Sequence, residues 1–142
     1  MALVQSVFGQ AIDTSRVALR RRRWWWLQPR GITMAPTGHL HFHPASDNYC
    51  SDFSQASPAH QAHFIHEMTH VWQAQTRGWW YLPLVGPFQR KYGYTLKPGK
   101  KLTEYNIEQQ AEIVSHAFML RMGWKAADSG AIEHYTELVD FT

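Results

Sequence analysis

The chain has 142 residues, the length of one ordinary domain, and its 44% hydrophobic and 18% charged residues exclude a disordered or low-complexity chain. The single cysteine, Cys50, excludes an internal disulfide and a metal site made of several thiolates, so any metal ligands must be His or carboxylate side chains. The net charge is only +3, yet residues 1–30 alone carry +5. We therefore predict one domain over residues 1–142, with a basic region near its start.

Segments that would direct the protein into a membrane or the general secretory route are not evident in the sequence. No run approaches the roughly 20 apolar residues that a transmembrane helix needs. Residues 1–13 lack both the basic start and the uninterrupted apolar stretch of a secretory signal. We expect a protein without a transmembrane segment that is made in the cytoplasm without a Sec signal.

The first third of the chain is predicted to start with a short helix and to continue as a small sheet. The helix is expected at about residues 6–12. Residues that favour β-structure occur at 17–19, 24–27 and 32–35, and strict alternation follows at 39–43. These segments predict a sheet of two or three strands.

The alternating segment places His39, His41 and His43 on one face of a strand and Leu40 and Phe42 on the other. The favoured interpretation is a half-buried strand whose histidines face solvent and whose apolar residues join the core. The less favoured alternative is a second metal site on the histidine face.

Four consecutive arginines, Arg20–Arg23, directly precede three tryptophans, Trp24–Trp26. The favoured interpretation is a pair of strands in which the arginine stems cover the tryptophan faces. The alternative is a surface that binds an anionic glycan, a membrane, nucleic acid or a protein partner. Because the basic residues form one short run rather than a whole basic face, we expect no nucleic-acid partner.

The second half of the chain is predicted to be helical, with helices at about 58–76, 106–122 and 131–139 and a Pro- and Gly-rich loop at 79–101. Ser57 can cap the first of these helices, Pro58 suits its first position and Gly78 can end it. Asn106 can cap the second helix, and Gly123 can end it. The predicted fold class is α+β, with a small N-terminal sheet packed on the first long helix.

The first long helix contains His66-Glu67-Met68-Thr69-His70, a His-Glu-x-x-His motif. Residues four apart on an α-helix project to the same side, so both imidazoles can bind one metal ion. Glu67 lies about 100° around the helix from His66, within reach of a water on the metal but not of the metal itself. The motif predicts His66 and His70 as zinc ligands and Glu67 as a general base.

A catalytic zinc ion needs a third protein ligand, and the second long helix offers Glu108 and Glu112, one turn apart. Glu108, in the first turn, is the favoured ligand. Glu112 is expected to accept a hydrogen bond from a ligating imidazole and so to orient it. From the sequence alone, the reverse assignment and an ordinary surface role for Glu112 stay open.

The motif followed by Glu108 and Glu112 resembles the gluzincin arrangement, in which a downstream helix supplies a glutamate ligand and an acidic residue follows one turn later. Longer segments are similar to the Vgr-related metallopeptidases of bacteria. These segments are Phe8-Gly9 with Ala11-Ile12-Asp13, Met34-Ala35-Pro36, Asp52-Phe53-Ser54, Phe64 to Gln73 and Tyr105 to Glu112. The resemblance covers most of the chain and implies a minimal zincin-like fold, one Zn²⁺ ion and a link to type VI secretion.

An enzyme with this site would hydrolyse a peptide or amide bond. Glu67 would take a proton from a zinc-bound water that attacks the carbonyl and then deliver it to the leaving amine. A further donor is expected to stabilise the oxyanion. We select His116 and Tyr105 for this catalytic role, and His134 and Tyr135 are further candidates.

The leading hypothesis is therefore a zinc-dependent metallopeptidase that type VI secretion exports as an antibacterial effector. Its expected substrate is a peptide or a peptidoglycan peptide, and its expected protein partners are a secretion spike or an immunity protein. The alternative is a non-catalytic adaptor of the spike, in which the metal is structural or absent. The presence of Glu67 favours the enzyme, because an adaptor has no need of a general base.

Overall fold

The computed structural model describes residues 1–124 and 132–141. In chain order its elements are helix α1 (Ala2–Phe8), strands β1 (Leu19–Arg20) and β2 (Leu40–His41), and helices α2 (Pro58–Arg77), α3 (Tyr81–Val85), α4 (Ile107–Arg121) and α5 (Ile132–Leu138). The described part is mostly helical with one small sheet, which is compatible with the predicted α+β class. In that part, no helix is both long and apolar enough to cross a membrane.

Helix α2 begins and ends close to where its sequence predicts. The Ser57 hydroxyl accepts a hydrogen bond from the backbone N–H of His60, and Pro58 occupies the first position of the helix. Gly78 follows the last residue with φ of 97°, a left-handed value that other residues rarely adopt. The predicted helix over 58–76 is confirmed.

Helix α4 is held at its start by a reciprocal pair of hydrogen bonds. The side chain of Asn106 accepts from the backbone N–H of Gln109, and the side chain of Gln109 accepts from the backbone N–H of Asn106. Gly123, with φ of 77°, lies just beyond the end of the helix. The predicted helix over 106–122 is confirmed to within one residue at each end.

The apolar sides of α2 and α4 meet in the core. Ile65 and Met68 of α2 and Ile113 and Val114 of α4 are all fully buried. Burial of side chains of this size contributes about 1.5–3 kcal/mol each, so this contact is a main source of stability. The packing also holds the polar residues beside it, on the same two helices, at a constant separation.

The N-terminal sheet has two strands of two residues each, which agrees with the predicted two or three strands. Strands β1 and β2 pair in parallel, with Leu19 opposite Leu40, and Met34 forms a single antiparallel bridge with His41. Helix α1 lies at Ala2–Phe8 rather than at 6–12, because Gly9 ends it with φ of 53°. The predicted helix therefore lies four residues too far toward the C-terminus.

The prediction that the histidine face of this strand is exposed to solvent is wrong for His41, whereas His39 and His43 are half-buried. His41 is 1% exposed, and the ring of Trp24 packs edge-on against its imidazole. Leu40 and Phe42 are buried as well, so both faces of this short segment are covered. Burial lowers the pKa of His41, and the nearby positive charge of Arg20 lowers it further, which keeps the imidazole neutral.

The segment at 24–27 is not a strand, and the side chain of Gln28, rather than a neighbouring strand, binds the backbone N–H of Trp24. Gln28 Oε1 accepts from the backbone N–H of Trp24, and Gln28 Nε2 donates to the carbonyls of Ile32 and His41. Trp26 is 76% exposed, so the predicted covering of tryptophan faces by arginine stems is wrong there. The arginines and tryptophans instead form a loop.

The long loop at 79–101 has only short regular pieces, as its Pro and Gly content predicts. Helix α3 packs Leu82 against Ala74 of α2 and Ile107 of α4. Farther on, the side chain of Gln89 accepts a hydrogen bond from the backbone N–H of Ile107. The loop is thereby attached to the start of α4. Of the predicted last helix, the described part is α5, and residue 131 lies outside the described residues.

Candidate metal centre

Two histidines of α2 and one glutamate of α4 converge on one point. His66 Nε2 lies 3.4 Å from Glu108 Oε2, and His70 Nε2 lies 3.3 Å from the same oxygen. One ligand atom from each residue lies within 4.8 Å of the other two, a spacing at which a single metal ion can bind all three. The structure thus brings together the three residues that the sequence predicts as ligands.

Charge and burial at this point favour a cation. Burial lowers the pKa of His66, but the close carboxylates of Glu108 and Glu112 outweigh burial and raise the pKa to about 10. Burial raises the pKa of Glu108, but the close imidazoles of His66 and His70 outweigh burial and lower the pKa to about 2. The two imidazoles thus favour the negative charge on the buried carboxylate.

The donor set fits a zinc ion. Glu108 Oε2 is buried and has no geometrically acceptable hydrogen-bond partner among the described residues, although it faces both imidazoles. Two imidazole nitrogens and one carboxylate oxygen are ligands that zinc takes in catalytic sites, with a fourth position left open. A cation at this position would satisfy the buried oxygen.

Glu112 contacts His66 on the side of the imidazole that faces away from the converging ligand atoms, and His116 contacts Glu112. Glu112 Oε1 lies 3.2 Å from His66 Nδ1, the ring nitrogen opposite the converging atoms, and His116 Nε2 lies 3.5 Å from Glu112 Oε2. The hydrogen bond with His66 lowers the pKa of Glu112, although burial opposes this shift. The Tyr94 hydroxyl in turn contacts His116 Nδ1. These contacts match the orienting role predicted for Glu112, and the predicted oxyanion role of His116 stays a prediction.

Gln73 supports His70 in the same way, and the sequence gives no clear signal for it beyond its place on the polar face of α2. His70 Nδ1 donates to Gln73 Oε1 at 2.9 Å, which leaves the lone pair of His70 on Nε2. Gln73 Nε2 donates to the Ile107 carbonyl and to Gln110 Oε1, both on α4. Gln73 is fully buried, so each imidazole of the motif is oriented by a buried or half-buried polar partner.

Glu67 lies beside the converging residues and is largely buried. Its Oε1 is 3.8 Å from Nε2 of His63, one turn earlier on α2. His63 Nε2 is also 2.9 Å from the hydroxyl of Thr33 in the N-terminal segment. Burial lowers the pKa of His63, so its imidazole is a neutral neighbour for the carboxylate.

Tyr92 was not singled out by sequence reasoning. Its ring stacks on the imidazole of His66, with centroids 6.3 Å apart. Burial raises the pKa of the Tyr92 phenol, and the carboxylates of Glu108, Glu67 and Glu112 raise it further. Tyr92 therefore keeps its proton and can donate it in a hydrogen bond beside the site. The only signal in the sequence was its position in the long loop.

The other predicted site residues lie in supporting positions. The Tyr105 hydroxyl accepts a hydrogen bond from the backbone N–H of Lys97, and Tyr105 is buried. Tyr135 is buried with its hydroxyl 2.9 Å from that of Tyr94, whereas His134 is exposed on α5. In the part of the chain that the structure describes, the histidine ladder does not form a group of three potential metal ligands.

The fold and the site define a small, mostly helical α+β domain with a two-histidine, one-glutamate group that can hold a metal ion. No family model matches the chain. The chain is 42% identical over 127 residues to the type VI secretion system spike protein VgrG2b of Pseudomonas aeruginosa, and the match includes 84% of this chain but only 12% of that protein. The solved effector domain of P. aeruginosa VgrG2b superimposes with a TM-score of 0.72 and 38% identity, over 85% of this chain and 70% of that chain. The chain therefore belongs to the family of the VgrG2b effector domain, which confirms the predicted Vgr-related character.

Proposed function

We propose that this domain is a zinc-dependent metallopeptidase with a zincin-like arrangement of its two central helices. The observation that carries the proposal is the convergence of His66 Nε2, His70 Nε2 and Glu108 Oε2 within 4.8 Å, with Glu67 next to the first of these ligands. Three protein ligands leave a fourth position on zinc for water or substrate, as catalytic sites require. A structural zinc site would normally close that position with a fourth protein ligand.

The residues of the chain have distinct roles in this proposal. Zinc would supply a Lewis acid for a substrate carbonyl and lower the pKa of water to about 7. Glu67 accepts a proton from the attacking water and donates it to the leaving nitrogen. Glu112 and Gln73 hold the two imidazoles with their Nε2 atoms toward the ion. Tyr92, whose ring stacks on His66, is the proposed donor to the developing oxyanion. The predicted His116 and Tyr105 instead contact Glu112 and the backbone of Lys97, and we propose that they support the site.

The proposed biological setting comes from the relatives. One relative is named a spike protein of type VI secretion, and the solved structure is named an effector domain. We propose that this domain is likewise exported with a secretion spike, that it cleaves a peptide or a peptidoglycan peptide, and that an immunity protein binds it in the producing cell.

The decisive experiment compares the wild type with Glu67→Gln, a variant that keeps the side-chain shape but removes the base. We expect both proteins to bind one zinc ion, and only the wild type to hydrolyse members of a panel of peptides and muropeptides. A general base contributes about 10²–10⁴-fold to rate, so the loss should be of that size. Mass spectrometry of the products and metal analysis of both proteins provide the readouts.

Equal behaviour of the two proteins would contradict the enzyme. If both bind zinc and show neither a difference in hydrolysis nor a difference in toxicity to bacteria, the domain is a non-catalytic adaptor of the spike. The matched control is Glu104→Gln, an exposed glutamate outside the converging group, which should leave hydrolysis unchanged.

A further inference from the structure

The basic and aromatic run near the start of the chain forms an exposed loop at residues 21–32, directly after Arg20 at the end of β1, and is here called the Arg–Trp loop. Apart from Gln28, every residue from 21 to 32 is exposed. Gln28 is 3% exposed and ties the loop to itself and to β2 through hydrogen bonds with Trp24, Ile32 and His41. The backbone N–H of Gln28 also donates to the carbonyl of Trp25. The loop is therefore ordered by one buried side chain, and its apolar residues are held outward.

These outward residues form a contiguous apolar tip. Trp25, Trp26 and Leu27 are consecutive and exposed, and Ile32 is exposed where the loop returns. A folded domain gains nothing from an ordered apolar tip in water, and exposed patches of this kind mark interaction sites. Trp24 differs from the others because part of its ring covers His41.

Positive charge surrounds the tip. Residues 20–32 contain five arginines and no acidic residue. Asp47 lies 3.4 Å from Arg30 in an exposed pair, and Arg21 lies over the ring of Tyr49. Arg23 donates to the carbonyl of Trp26, which places its guanidinium beside the apolar tip. Arg22 is exposed, and none of the described ion pairs includes it.

We propose that the Arg–Trp loop is a binding surface for an anionic lipid bilayer. Tryptophan prefers the headgroup level of a membrane, and arginine binds lipid phosphates there. Leu27 and Ile32 favour a bilayer over nucleic acid, because burial of aliphatic side chains among acyl chains is favourable, whereas aliphatic side chains cannot stack on bases. No residue of the loop belongs to the candidate metal centre, so the proposal does not depend on peptidase activity.

The test measures co-sedimentation of the whole chain with vesicles of phosphatidylglycerol and phosphatidylethanolamine, and with vesicles of phosphatidylcholine alone. We expect binding to the anionic vesicles that weakens as salt is added. Replacement of Trp25 and Trp26 by alanine should weaken it about tenfold or more, because two large apolar side chains are lost. Arg22→Gln should weaken it about fivefold, the effect expected of one basic residue near an anionic surface.

A matched control uses a second pair of adjacent exposed tryptophans, Trp79 and Trp80. Replacing both by alanine removes the same atoms elsewhere on the surface and should leave vesicle binding unchanged. Circular dichroism and thermal unfolding of all variants check that they fold alike. Because Trp25 and Trp26 are exposed, we expect no loss of stability on their replacement.

Three outcomes would overturn the proposal. The first is equal binding of the wild type to anionic and zwitterionic vesicles, or no binding to either. The second is an equal loss of binding in the Trp79 and Trp80 control. In the third outcome, replacing Trp25 and Trp26 weakens binding to DNA oligonucleotides but leaves binding to vesicles unchanged. That result would assign the loop to nucleic acid.

Discussion

Both ring nitrogens of His66 face carboxylates of one helix. Glu108 lies at Nε2 and Glu112 at Nδ1, so two glutamates one turn apart on α4 hold a single histidine of α2. His70 shares Glu108 but takes an amide, Gln73, on its other nitrogen. An amide oxygen can only accept here, which makes Nδ1 the protonated nitrogen of His70 and leaves Nε2 free for a metal.

This asymmetry predicts different effects of removing the two glutamates. Glu108→Ala should abolish tight zinc binding because it removes a ligand, whereas Glu112→Ala should weaken binding about 10–100-fold because it removes only an orienting partner. Competition with a chromogenic chelator measures both affinities. Glu104→Ala is the control. A larger loss in Glu112→Ala than in Glu108→Ala would exchange the two assignments.

At the residue scale, fixed spacing on a helix determines which side chains share a face, so the sequence could predict a candidate site at His66, Glu67, His70, Glu108 and Glu112. The structure brings His66, His70 and Glu108 together. The sequence did not predict that Tyr92 and Tyr94 lie beside the site. They lie in a loop without periodicity, and only the folding of that loop along α4 brings them to the histidines. The hydrogen bond of Gln73 with His70 depends on the rotamers of both side chains, which helical spacing does not determine.

At the scale of elements, the start of α4 connects the site to the long loop. Asn106 caps the helix through Gln109 and also donates to the carbonyl of Lys91 in the loop. Glu108 follows within the first turn. One side chain therefore stabilises the start of the helix, the loop that carries Tyr92, and the position of the candidate metal ligand Glu108.

Asn106→Ala should reduce the free energy of unfolding by about 1 kcal/mol, the usual cost of losing a helix cap. Urea denaturation measures the change. Asn106→Asp is the matched variant: it keeps the oxygen that accepts from Gln109, cannot donate to Lys91, and should recover most of the lost stability. If the aspartate variant is as unstable as the alanine variant, the contact with Lys91 rather than the cap is the important one.

Helices were predicted better than strands, for a physical reason. Capping residues, proline at the first position and glycine at the end act within one or two turns, so they mark α2 and α4 locally. The strands depend on partners far along the chain. At 24–27 the side chain of Gln28 replaces a neighbouring strand as hydrogen-bond partner, and propensity alone could not show that.

At the scale of the whole molecule, a metal would act as a cross-link between the two central helices. Its ligands would lie on α2 and α4. These helices are also joined by the apolar core, by the hydrogen bonds of Gln73 with Ile107 and Gln110, by the hydrogen bond from the Ser115 hydroxyl to the Ala62 carbonyl, and by the contact of Glu112 with His66. Ligand binding to the native state alone stabilises it by mass action. The stability of the whole domain should therefore depend on the metal.

Removal of zinc by a chelator should lower the midpoint of thermal unfolding, and added zinc should restore it. At a free zinc concentration 100 times the dissociation constant, the difference corresponds to about 2.7 kcal/mol. Differential scanning calorimetry measures the shift. Glu108→Ala should unfold at the same temperature with and without zinc, and a shift of wild-type size in that variant would place the metal elsewhere.

The sequence was enough to predict an α+β class, the two long helices and the candidate metal-binding residues on them, because capping and helical periodicity act within a few turns. Only the tertiary structure shows that these two helices bring His66, His70 and Glu108 together, which nitrogen faces which carboxylate, which loop tyrosines reach the site, and that the Arg–Trp loop is exposed to solvent. Those features depend on contacts between residues far apart in the chain, and their geometry is set by packing rather than by local preference.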